Sequence, residues 1–352
     1  MKLLRLLLFP FSLIYALAVI VRNFAYDKGF LPSRRFDFPV ISVGNLAVGG
    51  AGKSPMTEYI IRLLKADYKI ATLSRGYRRT SKGFLLVNET STVEQAGDEP
   101  LQFKRKFPEI TVAVCESRVA GIEALKDNHD LVILDDAYQH RAAKPGFSLL
   151  LFDYNQLFKW QWYLPTGNLR ESLAGRARAD VIVITKTPAE LKNEEKEKII
   201  KRIKPLPEQE IFFSYVDYGN LEPAEAKESR SLTSLRAGTT VFLLTGIANA
   251  DPLVKELKKY TSEVRHHEYP DHHQFTRKNI LKLVQAFKED AGNDKIIVTT
   301  EKDYQRLRFA GGFELLEGLP VYYLPVVSKL HPPSQKLDNL IKTYVAKHLH
   351  NY

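Results

Sequence analysis

The sequence is poor in cysteine: among 352 residues there is one, Cys115. A lone cysteine excludes a disulfide framework and any metal site built from thiolates, and it suits a reducing cytoplasm. Acidic residues are outnumbered, 41 Asp and Glu against 51 Lys and Arg, so the net charge is +10 and an anionic partner is expected. No arginine-rich run interleaved with aromatics is present, and no nucleic-acid partner is expected. Hydrophobic content of 44% and charged content of 26% are ordinary for a globular chain. The length makes two folded domains the natural expectation.

Long uncharged apolar runs are scarce too. The exception is Leu6 to Val21, sixteen residues with two hydroxyls, Ser12 and Tyr15. Lys2 and Arg5 precede it; Arg22, Lys28, Arg34 and Arg35 follow. Crossing a bilayer takes about 20 apolar residues, so the run is short by a turn. The basic flanks suit an interfacial or shallowly inserted anchor on an anionic cytoplasmic leaflet. The alternatives are a buried soluble helix and a signal peptide, since Ala16-Leu-Ala18 resembles a cleavage site. No comparable lipid-facing stretch is expected elsewhere.

The chain is organised around Val40-Ile-Ser-Val43 and the glycine-rich loop after it, which ends in Gly52-Lys53-Ser54 and opens a helical pattern. Strand, glycine loop, Lys-Ser and helix make a phosphate-binding loop. Backbone N–H groups of Ala47, Val48, Gly49, Gly50, Ala51 and Gly52 would cradle phosphate oxygens. Lys53 would reach the β- and γ-phosphates, and Ser54 would ligate Mg²⁺. Ala47 stands where the usual pattern has glycine, and a tight turn that merely holds a lysine is the bland alternative.

Beyond the loop, short apolar segments alternate with helical ones: Lys69–Leu73, Thr111–Val114, Leu131–Leu134, Ser148–Phe152 and Val181–Thr185 read as strands. That alternation predicts an α/β fold with a P-loop-type parallel sheet flanked on both faces. Function in such sheets sits at the carboxyl ends of strands. The polar clusters fall there. Ser74-Arg-Gly-Tyr-Arg-Arg79 offers arginines to an anion. Gly97-Asp98-Glu99 could supply a base and a metal ligand, or helix caps. Leu131-Val-Ile-Leu-Asp135-Asp136 is a Walker B arrangement whose carboxylates reach Mg²⁺, and Gln139 and His140 follow on the same loop. Arg170 lies in a turn-rich loop. Thr185-Lys-Thr-Pro188 lacks the Asn and Asp of a guanine-reading motif, which favours ATP.

A charge-rich stretch from about 219 to 238 reads as a linker, and 239–352 as a smaller α/β domain with strands at Val241–Leu244, Ile296–Thr299 and Val321–Val326. The cluster His266-His-Glu-Tyr-Pro-Asp-His-His273 invites a metal reading, but neighbouring histidines on a strand point to opposite faces. One histidine paired with a carboxylate is the more economical use.

Taken together the motifs resemble those of the tetraacyldisaccharide 4'-kinase family, the lipid A 4'-kinases of Gram-negative bacteria. The resemblance rests on Val43-Gly-Asn…Gly49-Gly-Ala-Gly-Lys-Ser-Pro55, Ser74-Arg-Gly-Tyr77, Gly97-Asp-Glu-Pro100 and Asp135-Asp-Ala-Tyr-Gln-His140. Leu164-Pro-Thr-Gly…Leu169-Arg-Glu171, Tyr269-Pro-Asp-His272 and Thr299-Thr-Glu-Lys-Asp303 extend it over nearly the whole chain. Ala137 stands where the family usually has glycine, and Asn168 where it often has proline. The resemblance implies transfer of the ATP γ-phosphoryl group to the 4'-hydroxyl of a tetraacyldisaccharide 1-phosphate at the cytoplasmic face of the inner membrane. It also implies an anchor over 1–30, a kinase domain over 31–218, a hinge over 219–238 and a C-terminal domain over 239–352. By motif, Asp98 would be the general base with His272 as its partner. Ser54, Glu99, Asp135 and Asp136 are the candidates for Mg²⁺, and Arg75, Arg78, Arg118, Gln139, His140 and Arg170 for substrate. A membrane-associated P-loop ATPase or nucleotide switch is the alternative; Val48 stands where the deviant Walker class carries its signature lysine.

Overall fold

The computed structural model describes residues 5–77, 79–224, 228–308 and 310–349. Among the described residues fourteen strands follow one another in chain order. They are β1 (Val40–Asn45), β2 (Ile70–Ser74), β3 (Leu85–Val87), β4 (Thr111–Val114), β5 (Leu131–Asp135), β6 (Phe147–Asp153) and β7 (Val181–Thr187). Then come β8 (Glu210–Tyr218), β9 (Glu222–Pro223), β10 (Thr240–Thr245), β11 (Val264–Glu268), β12 (Lys295–Thr300), β13 (Val321–Leu324) and β14 (Val326–Leu330).

Nine strands form one sheet in the order β14-β8-β7-β6-β1-β5-β2-β4-β3, parallel except at its two edges. The central β1 is buried at every residue, because both of its faces carry helices. Ile41 and Val43 pack on one side with Met56, Ile60 and Leu64 of the helix Lys53–Leu64. Val40 packs on the other side with Leu73, Ile122 and Leu134. Each such side chain, fully buried, contributes roughly 1.5–3 kcal/mol. The chain runs outward from β1 through β2 to β4, returns at β5, and only then crosses β1 to build β6, β7 and β8. The order therefore reverses beside β1, and the crevice at the carboxyl ends of β1, β5 and β6 is the switch point where ligands bind.

The second sheet, β11-β10-β12-β13-β9, is parallel apart from β9. Its extent differs from the expected one. What reads as a single strand, Val321–Val326, is broken by Pro325, which has no N–H to give a ladder. The residues before Pro325 pair with β12, whereas β14 pairs antiparallel with β8 of the first sheet. The final helix, Gln335–Leu349, also packs on the first sheet, and the Tyr344 hydroxyl bonds both backbone groups of Val40. The stretch expected as linker is partly built into the second unit: Leu221, Leu232 and Leu235 are buried there and β9 pairs with β13. The two chain crossings meet where Gly219 N–H donates to Pro325 O, 3.1 Å.

The apolar N-terminal segment is a helix, Phe9–Asp27, long and apolar enough to cross a membrane by length and composition alone. Only Ser12 and Val19 on it are buried. Its contacts run its whole length: Phe9 against the Trp162 ring, Ser12 to Thr166, Arg22 to Gln139 O, Asn23 to Glu171 and Asp27 to Arg141. Another apolar surface, unexpected from the sequence, lies beside it on the loop carrying Phe158, Trp160 and Trp162.

Candidate active site

The loop after β1 has the shape its glycines predict. Gly49 (φ 118°) and Gly52 (φ 79°) sit in left-handed conformations that L side chains rarely adopt. Gly52 caps the helix that starts at Lys53, so Ala51, Gly52, Lys53 and Ser54 lie at a helix N-terminus. Behind the loop, Thr185 Oγ1 donates to Ala51 O at 2.9 Å, and Asn168 O accepts from Val48 N–H at 2.7 Å. Lys53 is nearly buried and lightly held, its Nζ 3.4 Å from Asn45 Oδ1 and 3.6 Å from Asp136 Oδ1.

Three oxygen donors gather beside Lys53. Ser54 Oγ donates to Glu99 Oε1 at 2.8 Å, and Lys302 Nζ, from the second unit, donates to the same oxygen at 2.6 Å. Burial pushes the Glu99 carboxyl up, but Lys302 and Lys53 outweigh it and hold it well below the usual range. Asp135, at the end of β5, is fully buried; its Oδ1 accepts from Thr57 Oγ1 at 3.1 Å. Its Oδ2 is buried with no hydrogen-bond partner among the described residues. Burial, and then the charges of Glu99 and Asp136, push its pKa up. An orphaned carboxylate oxygen near a hydroxyl and a second carboxylate is what a hard cation would satisfy. Among the described residues no group of three or more His, Cys, Asp and Glu could by itself hold a metal ion. Mg²⁺ takes only one or two carboxylates and completes its shell with water and phosphate, so Ser54 with Glu99 and Asp135 is a donor set of the kind it uses. Asp136 is differently engaged: at φ 48° it pairs with Arg170 Nη1 at 2.8 Å.

Asp98 opens the helix Asp98–Lys106 just after Gly97. Gly97 is at φ 90°, and a Cβ there would lie 3.2 Å from Tyr77 N and O, so the two motif loops touch backbone to backbone. Asp98 Oδ2 faces three nitrogens of the second unit: Arg306 Nη2 at 2.6 Å, Arg306 Nε at 3.0 Å and His272 Nδ1 at 3.2 Å. Burial raises the Asp98 pKa, but the bonds from His272 and Arg306 prevail and bring it to about 2. Asp98 Oδ1 is buried without a partner among the described residues. His272 is held by its backbone at φ 59°, with its N–H donating to Gly246 O at 3.0 Å. Tyr77, Asp98 and His272 line one cleft with Val93, Glu94 and Gln274. The other histidines do not converge on it: His266 bonds Thr245 and His273 bonds Asn279.

A cationic group lies toward the N-terminal helix. Arg118 is buried, its Nη1 donating to Cys115 O at 2.7 Å and its N–H to His140 Nε2 at 3.3 Å. Burial, then Arg118, Arg75 and Arg22, bring the His140 pKa to about 4, so the ring is neutral at neutral pH. Gln139 Nε2 donates to Asn45 O, and Arg170 Nη1 donates to Gln139 Oε1. Arg75 is exposed. Arg78 lies outside the described residues.

Sequence reasoning missed Lys302 as the partner of Glu99, Arg306 as the partner of Asp98, and Arg22 as part of the cationic group. Arg306 is one helical turn past Asp303, whose Oδ1 it meets at 2.9 Å; that spacing from a recognised motif was the available signal.

Residues 4–346 match the family described as Tetraacyldisaccharide-1-P 4'-kinase. Two curated relatives bear the name tetraacyldisaccharide 4'-kinase. One, from Flavobacterium johnsoniae, is 43% identical over 99% of each chain. The other, from Bacteroides thetaiotaomicron, is 42% identical over 98% of this chain and 94% of its own. A crystal structure of LpxK from Aquifex aeolicus in complex with ATP superimposes with a TM-score of 0.73. It is 31% identical and covers 97% of this chain and 99% of its own.

Proposed function

Since the chain belongs to the tetraacyldisaccharide-1-P 4'-kinase family, we propose how its own residues carry that family's reaction. The protein is an ATP-dependent lipid kinase of lipid A biosynthesis: it transfers the γ-phosphoryl group of ATP to the 4'-hydroxyl of a tetraacyldisaccharide 1-phosphate. In phosphoryl transfer there is little covalent work for a protein to do beyond positioning and charge neutralisation. The loop from Ala47 to Ser54 cradles the phosphates with backbone N–H groups, and Lys53 meets the transferred group. Ser54, Glu99 and Asp135 would hold Mg²⁺, with Asp136 close by; when bound, the ion neutralises charge on the phosphate oxygens.

Asp98 is the general base. The observation that carries this assignment is the pair of contacts at neighbouring positions. Glu99 is bonded to Ser54 of the phosphate loop, while Asp98 is held by His272 and Arg306 with its Oδ1 unpaired. Oδ1 can accept the acceptor hydroxyl's hydrogen bond and orient its oxygen toward the γ-phosphorus. Because His272 and Arg306 belong to the second unit, the base is correctly held only when the two units meet there, which restrains ATP hydrolysis without an acceptor. Arg75, Arg118 and Arg170, with Gln139 and neutral His140, supply the cationic and polar contacts for the disaccharide phosphate. Arg78 is part of that proposal by motif alone.

The helix Phe9–Asp27 lies flat in the lipid interface on the cytoplasmic face. Its side-on contacts with the protein body, from Phe9 to Asp27, span about 27 Å at 1.5 Å per residue. A helix docked over that length has no free span left to cross a bilayer. We also assign 326–349 to the kinase unit and 219–324 to the smaller one, the chain crossing between them after Tyr218 and again at Pro325.

The test is label transfer from ATP to the disaccharide 1-phosphate in detergent micelles. Asp98→Ala should lose turnover by orders of magnitude while still binding ATP; surviving transfer would refute the base assignment.

A further inference from the structure

Phe158, Trp160 and Trp162 stand out because nothing in the core requires them outside it. Trp160 is 82% exposed, Phe158 58% and Trp162 40%. The turn that presents them is built rather than loose. Leu157 is buried at its base, Lys159 N–H and Gln161 Nε2 both donate to Gln156 O, and Leu169 N–H donates to Trp162 O. The rings are also continuous with the N-terminal helix: Trp160 lies 5.9 Å from Trp162, and Trp162 lies edge-on to Phe9 at 5.0 Å. On the helix, Phe11, Ile14, Leu17, Ile20 and Phe24 continue the exposed apolar surface.

We propose that the Phe158–Trp162 loop is a second membrane-seating element, inserting its aromatic rings into the interface of an anionic phospholipid bilayer alongside the helix. The proposal rests on the reading that the helix lies on that bilayer. Indole rings carry an apolar body and an N–H that prefer the headgroup boundary. Charge agrees with anionic lipid rather than with a basic protein partner. The segment between Asp153 and Glu171 contains no Asp or Glu, and up to residue 27 the N-terminal segment has only the terminal Asp27, which pairs with Arg141; the two carry Lys2, Arg5, Arg22, Lys159 and Arg170. A protein seated on a surface by one helix alone can still roll about that helix's axis. A second contact at its N-terminal end removes that freedom. It also fixes the height of the segment running from Tyr163 to Arg170, whose arginine pairs with Asp136 at the phosphate site.

The protein carries its own reporter, since Trp160 and Trp162 are its two tryptophans. The full chain is mixed with phosphatidylcholine–phosphatidylglycerol vesicles, with and without brominated acyl chains, and co-sedimentation is followed with tryptophan emission. The expected result is a blue shift with quenching by the brominated lipid, and a vesicle affinity that falls roughly tenfold in Trp160→Ser with ATP binding unchanged. Co-sedimentation with unshifted, unquenched emission would overturn the loop's role and leave the helix reading standing. Failure to co-sediment at all would overturn both. A blue shift that follows protein concentration without vesicles would assign the loop to contact between copies of the chain and overturn the proposal.

Discussion

Arg306 binds the same oxygen of Asp98 that His272 faces, at 2.6 Å through Nη2, and its Nη2 also lies 3.0 Å from His272 Nδ1. One ring nitrogen cannot donate to Asp98 and accept from Arg306 at once, so the histidine tautomer selects which bond exists. Either way Asp98 stays ionised through the neutral range.

Removing the arginine should reverse that electrostatics. In Arg306→Ala, buried Asp98 and Asp303 lose their shared cation, a loss that costs about 3–5 kcal/mol for buried pairs. Burial alone then raises Asp98, so the acidic limb of the kcat/KM profile should move toward neutrality; Arg306→Lys should restore part of it. In the parent protein the depressed Asp98 pKa stabilises the fold above the unfolded carboxylate range. That contribution, about 2 kcal/mol, should disappear as the pH falls from about 4 to about 2. Rate profiles and melting curves across pH check both statements.

Asp135 titrates the other way. Its folded pKa is raised, so its ionised form destabilises the metal-free protein increasingly as the pH rises above the ordinary carboxylate range. Asp135→Asn should therefore melt higher than the parent in EDTA at neutral pH. Added Mg²⁺ with ATP should stabilise the parent far more than the variant, and turnover in the variant should fall at least a hundredfold, on the order of losing one charge-stabilising group. Equal melting temperatures in EDTA would contradict the orphaned-carboxylate account.

The close approach between the phosphate loop and the aspartate loop depends on Gly44. A Cβ there would lie 2.6 Å from Tyr138 Cβ and 3.0 Å from Tyr138 N. Gly44→Ala must push β1 and the Asp135-Asp136 turn apart, and it should cost about 1–3 kcal/mol of stability. The expected signature is a lower melting temperature together with a raised Mg²⁺ requirement, measured by titrating turnover against Mg²⁺.

Much of this site was legible because its chemistry lies next to local backbone signals. Val40–Val43 followed by Gly-Lys-Ser, and Leu131–Leu134 followed by two aspartates, declare a strand end and a phosphate or metal group in one stretch. The strands expected from Lys69 to Thr185 agree with β2, β4, β5, β6 and β7 to within about two residues at either end. What stayed hidden depends on docking between distant segments. No local pattern tells that Arg306, rather than Arg308, turns back to Asp98. None tells that the strand after Pro325 leaves its neighbours to cover the edge of β8. The aromatic loop carries no local sign of exposure, since rings alternating with Lys159 and Gln161 would suit a half-buried strand equally well. Only the fold shows that the rings stay outside.

The orientation of the N-terminal helix can be decided with two cysteines. Its docked side is polar, with Ser12 bonded to Thr166 and Tyr163 O and Asn23 bonded to Glu171, and these partners belong to the same body as the nucleotide loop. If the helix crossed the bilayer, Arg5 would sit on the far side from Lys28 and those contacts could not form together. Lying flat, both ends share the side that holds ATP. Arg5→Cys and Lys28→Cys should therefore both resist a membrane-impermeant maleimide added outside intact spheroplasts, and both should react in inverted vesicles. The native Cys115 is buried and contributes little background. Labelling of position 5 from outside, with position 28 protected, would establish a spanning helix and refute the in-plane placement.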